Sequence, residues 1–152
     1  MKGLIKHHFS HELVENVESA DILIILTCTV IDTTEQRLLH RIKVLSEMGK
    51  TLVIAGCMAS VQQDLLIEKF PHAVLVPPRQ IHQLFEIVNG IEQTNDLNTK
   101  SEIPKTYDDL SAPVMIADGC LFSCHYCITH LARGPLHSYP SNDILNLSLI
   151  HI

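Results

Sequence analysis

The chain has 152 residues, about the size of one ordinary domain, and its 46% apolar content is enough for a real core. Eleven Lys and Arg against 17 Asp and Glu leave a formal net charge of −6, which excludes these residues as a basic nucleic-acid grip on their own. Five cysteines, an odd number without the spacing of a small disulfide scaffold, point to a reducing, cytoplasmic setting with thiols free or metal-bound. No charged stretch followed by an apolar one opens the chain, and no apolar run approaches the roughly 20 residues of a membrane span.

In chain order, "ADILIIL" (20–26) is a continuous apolar run, which predicts a strand buried on both faces. "DTTEQRLLHRIKVLSEMGK" follows, with Leu38, Ile42, Leu45 and Met48 at helical spacing. Asp32 and Glu35 have the form of a capping box, and Gly49 is a plausible stop. "TLVIAG" (51–56) predicts a second buried strand, and "SVQQDLLIEKF" (60–70) a helix ended by Pro71. "AVLVPP" (73–78) predicts a short third strand, and "RQIHQLFEIVNG" (79–90) a third helix stopped at Asn89–Gly90. Strands alternating with helices imply an α/β fold with a parallel sheet. Residues 91–112 are polar and aperiodic, the pattern of a linker, and "PVMIA" (113–117) restarts the strand pattern as the beginning of a second α/β unit.

Cys28 follows the first strand and Cys57 the second. In an open parallel sheet, ligands bind at the carboxyl ends of strands, and neighbouring strands lie about 5 Å apart. The two sulfurs therefore either face one site or are small buried hydrophobes. Cys28 also precedes a helix N-terminus, which favours a thiolate.

Cys120, Cys124 and Cys127 fall within eight residues of "DGCLFSCHYCITHLARG" (118–134). Core packing gives no reason for that clustering. Three thiolates at C-x3-C-x2-C can hold three corners of an iron–sulfur cubane and leave one iron open. Alternatively, they can bind zinc with His125 or His130 as the fourth ligand. The ten histidines are otherwise scattered, and none is assigned as a ligand.

Tyr126, directly before the last of these cysteines, completes C-x3-C-x-aromatic-C. This pattern resembles the signature of radical S-adenosylmethionine enzymes. The resemblance implies an open iron that binds the amino and carboxylate groups of S-adenosylmethionine. It also implies one-electron cleavage to a 5′-deoxyadenosyl radical, and a place for Tyr126 near the adenine. "ADILIILTCTVIDTTEQRLLHRI", "GKTLVIAGCMA" and "DGCLFSCHYCITHLARGPLHSYP" together resemble the methylthiotransferases, over residues 1–146. These enzymes replace a C–H with C–SCH3 on a transfer-RNA adenosine or a ribosomal-protein aspartate.

The resemblance implies two 4Fe–4S clusters: one on Cys120, Cys124 and Cys127, and an auxiliary, sulfur-carrying one for which Cys28 and Cys57 match two of three ligands. It further implies an electron donor such as flavodoxin or ferredoxin, and no membrane association. "HLARGPLHSYP" and "VPPRQIHQL" look most like the archaeal and eukaryotic branch, which acts on N6-threonylcarbamoyladenosine beside the anticodon. Other branches act on isopentenyladenosine or on the ribosomal protein. Arg133 and Gly134 match the family's "RG" and carry no assigned catalytic role; a turn with a solvated arginine describes them equally well.

The family's first auxiliary cysteine precedes a helix that would end here near Val14, so the chain is expected to be truncated at its start. "LSLIHI" (147–152) is what CTGTCTCTTATACACATC encodes, the end sequence of a transposon used for sequencing libraries. These six residues are expected to be adapter read-through, with an ordinary apolar helix end as the alternative. The expected organisation is an N-terminal methylthiotransferase domain (1–90), a linker (91–112) and the first strand and cluster loop of a truncated (β/α) barrel (113–146). On this reading the fragment alone is inactive and its transfer-RNA contacts lie mostly elsewhere. A non-catalytic zinc or iron–sulfur module is the competing class.

Overall fold

The computed structural model describes residues 12–29, 32–90 and 114–149. The expected linker and the Asp32 side chain of the expected capping box lie outside the described residues. Three parallel strands, β1 (Ile22–Thr27), β2 (Thr51–Gly56) and β3 (Val74–Val76), form a sheet in the order β1-β2-β3. Helix α1 (Asp32–Ser46) connects β1 to β2. Helices α2 (Met58–Val61) and α3 (Gln63–Lys69) connect β2 to β3.

Alternation along β2 divides the core into two. Leu52 and Ile54 join Leu23, Ile25, Ile42, Met58 and Leu66 on the face covered by α1, α2 and α3. Val53 and Ala55 join Val76, Leu84 and Phe85 on the other face. That face is covered by a 3-10 segment, Pro78–Gln83, and the short helix α4 (Leu84–Val88). Both crossovers pack on one face, as a strand order that advances in one direction with crossovers of one hand requires.

The apolar runs do not all end up equally buried. β2 is central and its residues 52–55 are buried on both faces, as its run predicts. β1 lies at the edge of the described sheet and alternates instead, with Leu26 57% exposed. An apolar run of this length reads the same at a sheet's edge or centre; only pairing decides. Ile42 of α1 is fully buried, but Met48 lies beyond the helix end and is exposed, with Gly49 turning the chain at φ 67.

Other expected elements are shorter or broken. Residues 12–16 are irregular, and a 3-10 turn, Val17–Ser19, stands where a helix was expected to end near Val14. Lys50 organises that turn by donating from Nζ to the carbonyls of Val17 (2.9 Å), Ala20 (2.6 Å) and Glu18. The helix expected over 60–70 is interrupted at Gln62, whose backbone leaves the helical region (φ −118, ψ 34). The helix expected over 79–90 begins as the 3-10 segment, which follows an extended Pro77 (ψ 157) and starts at Pro78.

Of the strand expected over 113–117, residues 114–116 are irregular and only Ala117 falls in a strand, β4 (Ala117–Asp118). It pairs antiparallel with β5 (His137–Ser138) rather than parallel as in a barrel. Helices α5 (Ile128–Arg133) and α6 (Ser141–Leu149) complete the described chain. α6 runs into the first half of the "LSLIHI" stretch, and residues 150–152 lie outside the described residues. Among the described residues no helix is long and apolar enough to cross a membrane.

Candidate functional site

The parallel register fixes where the first two cysteines emerge. Thr27 pairs with Gly56, so Cys28 and Cys57 are the next residues on adjacent strand ends. The Cys57 N–H donates to the Thr27 carbonyl at 3.3 Å, and the Thr27 hydroxyl donates to the Ala55 carbonyl at 2.9 Å. Gly56 adopts φ 109, and a Cβ there would meet the Thr27 carbonyl oxygen, so this close approach needs glycine. Cys28 is exposed and Cys57 buried. Thr29, beside Cys28, is buried, and its Oγ1 has no hydrogen-bond partner among the described residues.

The second group of cysteines sits on a loop closed by main chain. The Cys120 N–H donates to the Gly134 carbonyl (3.1 Å), and the Leu136 N–H donates to the Cys120 carbonyl (3.0 Å). Gly119 at φ 85 passes so close to Pro135 that a Cβ would strike its carbonyl. Within the loop, the Cys127 N–H bonds the Cys124 carbonyl at 3.0 Å, and α5 begins directly after. A hydrogen bond from the His130 backbone holds the Cys127 thiol below its ordinary range. Desolvation opposes this, and the backbone and hydroxyl of Thr129 reinforce it. Cys124 is exposed, Cys120 and Cys127 are half-buried, and Tyr126 is 90% exposed.

Arg133 is not simply solvated: its guanidinium lies 3.5 Å from Asp118, whose Oδ1 also accepts from the Gly119 N–H. Gly134 ends α5 at φ 71. Buried Tyr139 anchors the exit of the loop. Burial, and then the Asp118 charge, push its phenol upward, and its hydroxyl makes no hydrogen bond among the described residues.

Both cysteine groups lie toward the same end of the sheet. α5 packs on α2, which starts directly after Cys57, and on the 3-10 segment after β3. Arg79 in that segment donates from Nε to the Arg133 carbonyl (2.8 Å) and from Nη2 to the Pro135 carbonyl (3.0 Å). The sequence gives no spacing signal for Arg79, because its partners are main-chain atoms more than 50 residues away. Among the described residues, no three His, Cys, Asp or Glu side chains are drawn together around one point. The donors nevertheless suit a thiophilic centre in kind and access: a thiol whose pKa is lowered, an exposed loop, and beside Cys28 a buried hydroxyl unpartnered among the described residues.

A sequence model described as "Uncharacterized protein family UPF0004" matches residues 1–77. "Probable threonylcarbamoyladenosine tRNA methylthiotransferase" of Methanocaldococcus jannaschii is 36% identical over 154 residues, covering 95% of this chain and 35% of that protein. The protein of the same name from Pyrococcus horikoshii is 31% identical, covering 89% of this chain and 34% of its own length. "Ribosomal protein uS12 methylthiotransferase RimO" of Prochlorococcus marinus is 28% identical, covering 96% and 35%. The chain belongs to the methylthiotransferase family. It spans about a third of the length of the curated methylthiotransferases it matches. The match over residues 1–77 takes in the whole parallel sheet and both Cys28 and Cys57, and the pairwise likeness to the relatives runs across most of the chain.

Proposed function

We propose that these residues belong to a radical S-adenosylmethionine methylthiotransferase acting on N6-threonylcarbamoyladenosine of transfer RNA, at carbon 2 of the adenine. The observation that carries the reading is the register that sets Cys28 and Cys57 side by side, at the sheet end to which the three-cysteine loop is tied. The transfer-RNA substrate is favoured because two relatives named for it are 36% and 31% identical, against 28% for the one named for the ribosomal protein. Methylthiolation of isopentenyladenosine or of the ribosomal-protein aspartate are the alternatives.

On this reading Cys120, Cys124 and Cys127 hold a 4Fe–4S cluster, and Cys28 and Cys57 hold two corners of an auxiliary one. When bound, the loop cluster supplies one electron to the sulfonium of S-adenosylmethionine, the start of hydrogen abstraction from an unactivated carbon. Three thiolates, rather than four, would hold such a cluster with one position left open for that cofactor. The depressed Cys127 thiol supplies its thiolate at a lower pH than an ordinary cysteine. Tyr126 offers an exposed ring face beside the loop for the adenine. The Thr29 hydroxyl, buried beside Cys28 and without a partner among the described residues, would offer a donor toward a cluster held there. With a net charge of −6, grip on transfer RNA falls mainly to other parts of the full-length protein, and the electron comes from a donor such as flavodoxin or ferredoxin.

Anaerobic reconstitution with iron and sulfide tests the ligand set. Changing Cys120, Cys124 and Cys127 together to Ala is expected to remove about four irons and the associated broad visible absorption. Stoichiometric zinc without that absorption would sink the reading. For the full-length protein, mass spectrometry of transfer-RNA nucleosides is expected to show gain of a methylthio group on threonylcarbamoyladenosine. A gain on isopentenyladenosine instead would move the substrate.

A further inference from the structure

We propose that Arg79 is a positioning residue that fixes the neck of the three-cysteine loop to the carboxyl end of the sheet, and so sets the stance of Cys120. The proposal rests on the reading of that loop as the cluster-holding, S-adenosylmethionine-binding segment.

Arg79 stands three residues beyond β3, in a 3-10 segment whose direction is set by Pro77 and Pro78. Its guanidinium meets two carbonyls two residues apart, Nε to Arg133 at 2.8 Å and Nη2 to Pro135 at 3.0 Å. Gly134 lies between these acceptors, and a Cβ there would sit 2.7 Å from the Arg79 Cζ. A glycine is therefore what lets the guanidinium come this close to the chain. The Gly134 carbonyl in turn accepts from the Cys120 N–H, and the Cys120 carbonyl accepts from Leu136. An unbroken series of contacts thus runs from the end of β3 through Arg79 and residues 133–135 to Cys120.

The chemistry of the side chain suits this task. Its two donors form a planar fork that spans two acceptors at once, whereas a lysine would offer one compact charge. Hydrogen bonds from a charged donor are stronger than neutral ones. The acceptors are carbonyls rather than a carboxylate. The nearby carboxylate, Asp118, is engaged by Arg133 instead. The family resemblance marks Arg133 and Gly134, and here Gly134 serves as the surface on which a distant arginine rests.

Hydrogen–deuterium exchange on the full chain, without iron, compares the wild type with Arg79→Ala and Arg79→Lys. Arg79→Ala is expected to speed exchange about tenfold in peptides covering Gly119–Leu136, from loss of two charge-assisted bonds, and to leave peptides from Thr51–Val76 unchanged. An equal rise in both regions would make Arg79 a general stability residue and overturn the proposal, as would no change in either. Arg79→Lys is expected to resemble Arg79→Ala; full rescue would assign the effect to charge rather than to the fork, and also overturn it.

After anaerobic loading with iron and sulfide, the electron paramagnetic resonance spectrum of the reduced protein is titrated with S-adenosylmethionine. Arg79→Ala is expected to need about ten times more cofactor for half the spectral change at unchanged iron content, by the same loss of loop order. An unchanged titration would overturn the proposal. If the wild type takes up no iron, the cluster reading falls, and the exchange comparison alone decides whether Arg79 fixes the loop.

Discussion

In β2, Leu52, Val53, Ile54 and Ala55 are sealed from solvent, whereas in the cysteine loop Leu121, Phe122 and Tyr126 keep 74%, 68% and 90% of their surface exposed. Both stretches are rich in apolar residues, but only the first uses them to hold the fold. The loop is held by main-chain bonds at its neck and by Arg79 reaching in from outside. Burial in the sheet fixes where Cys28 and Cys57 emerge. The loop keeps its thiols and one aromatic ring accessible, at the cost of contributing little to stability.

The sharpest way to break this contrast is a pair of truncations. Ile54→Ala empties a fully buried site against both β1 and the crossover helices, and is expected to cost about 3 kcal/mol in chemical denaturation. Phe122→Ala removes a larger side chain and is expected to stay within about 0.5 kcal/mol. Comparable costs would mean that the loop is packed after all.

Gly56→Ala asks whether the sheet end is as tightly built as the register implies. With φ at 109 and the Thr27 carbonyl in the way, a loss of about 2 kcal/mol is expected, read as a lower midpoint of unfolding. Gly49→Ala shares a positive φ but meets nothing nearby, so its cost is expected to be smaller.

Cys127 sharpens the contrast on the reactive side. Because its thiol is held below the ordinary range, its thiolate persists to lower pH as the solution is acidified. In metal-free protein, the pH midpoint for its alkylation by iodoacetamide is expected to fall below that of a cysteine in an unstructured peptide. An equal or higher midpoint would contradict the backbone hydrogen bond from His130.

The smallest effect is expected at Tyr139, whose buried hydroxyl lacks a partner among the described residues. Tyr139→Phe removes a desolvated polar group and is expected to leave stability unchanged or raise it by up to about 1 kcal/mol, measured by thermal unfolding. A clear loss would reveal a partner for that hydroxyl.

Much of this was legible in the residues themselves. The runs 20–26 and 51–56 announced strands, and the spacing of Leu38, Ile42 and Leu45 announced α1, since burial imposes those periods. The edge position of β1 in the described sheet was not legible, because pairing partners leave no mark within the strand. The break at Gln62 carries no Gly or Pro to signal it, and the helical spacing read over 79–90 did not show that its first turns are 3-10. At the site, the clustering of Cys120, Cys124 and Cys127 was readable because it lies within one short stretch of chain. Arg79 was not, since a side chain that bonds distant main chain constrains no nearby residue type.

The loop's neck has one more consequence, for sequence drift. Cys120, Gly134 and Leu136 close it through backbone atoms, so closure is indifferent to what occupies 121–123 and 125. The exposed side chains at 121 and 122 can therefore vary while the cysteines keep their register. A library randomised at those positions should retain the closed neck in most of its members, whereas one randomised at Gly119 or Gly134 should lose it in nearly all.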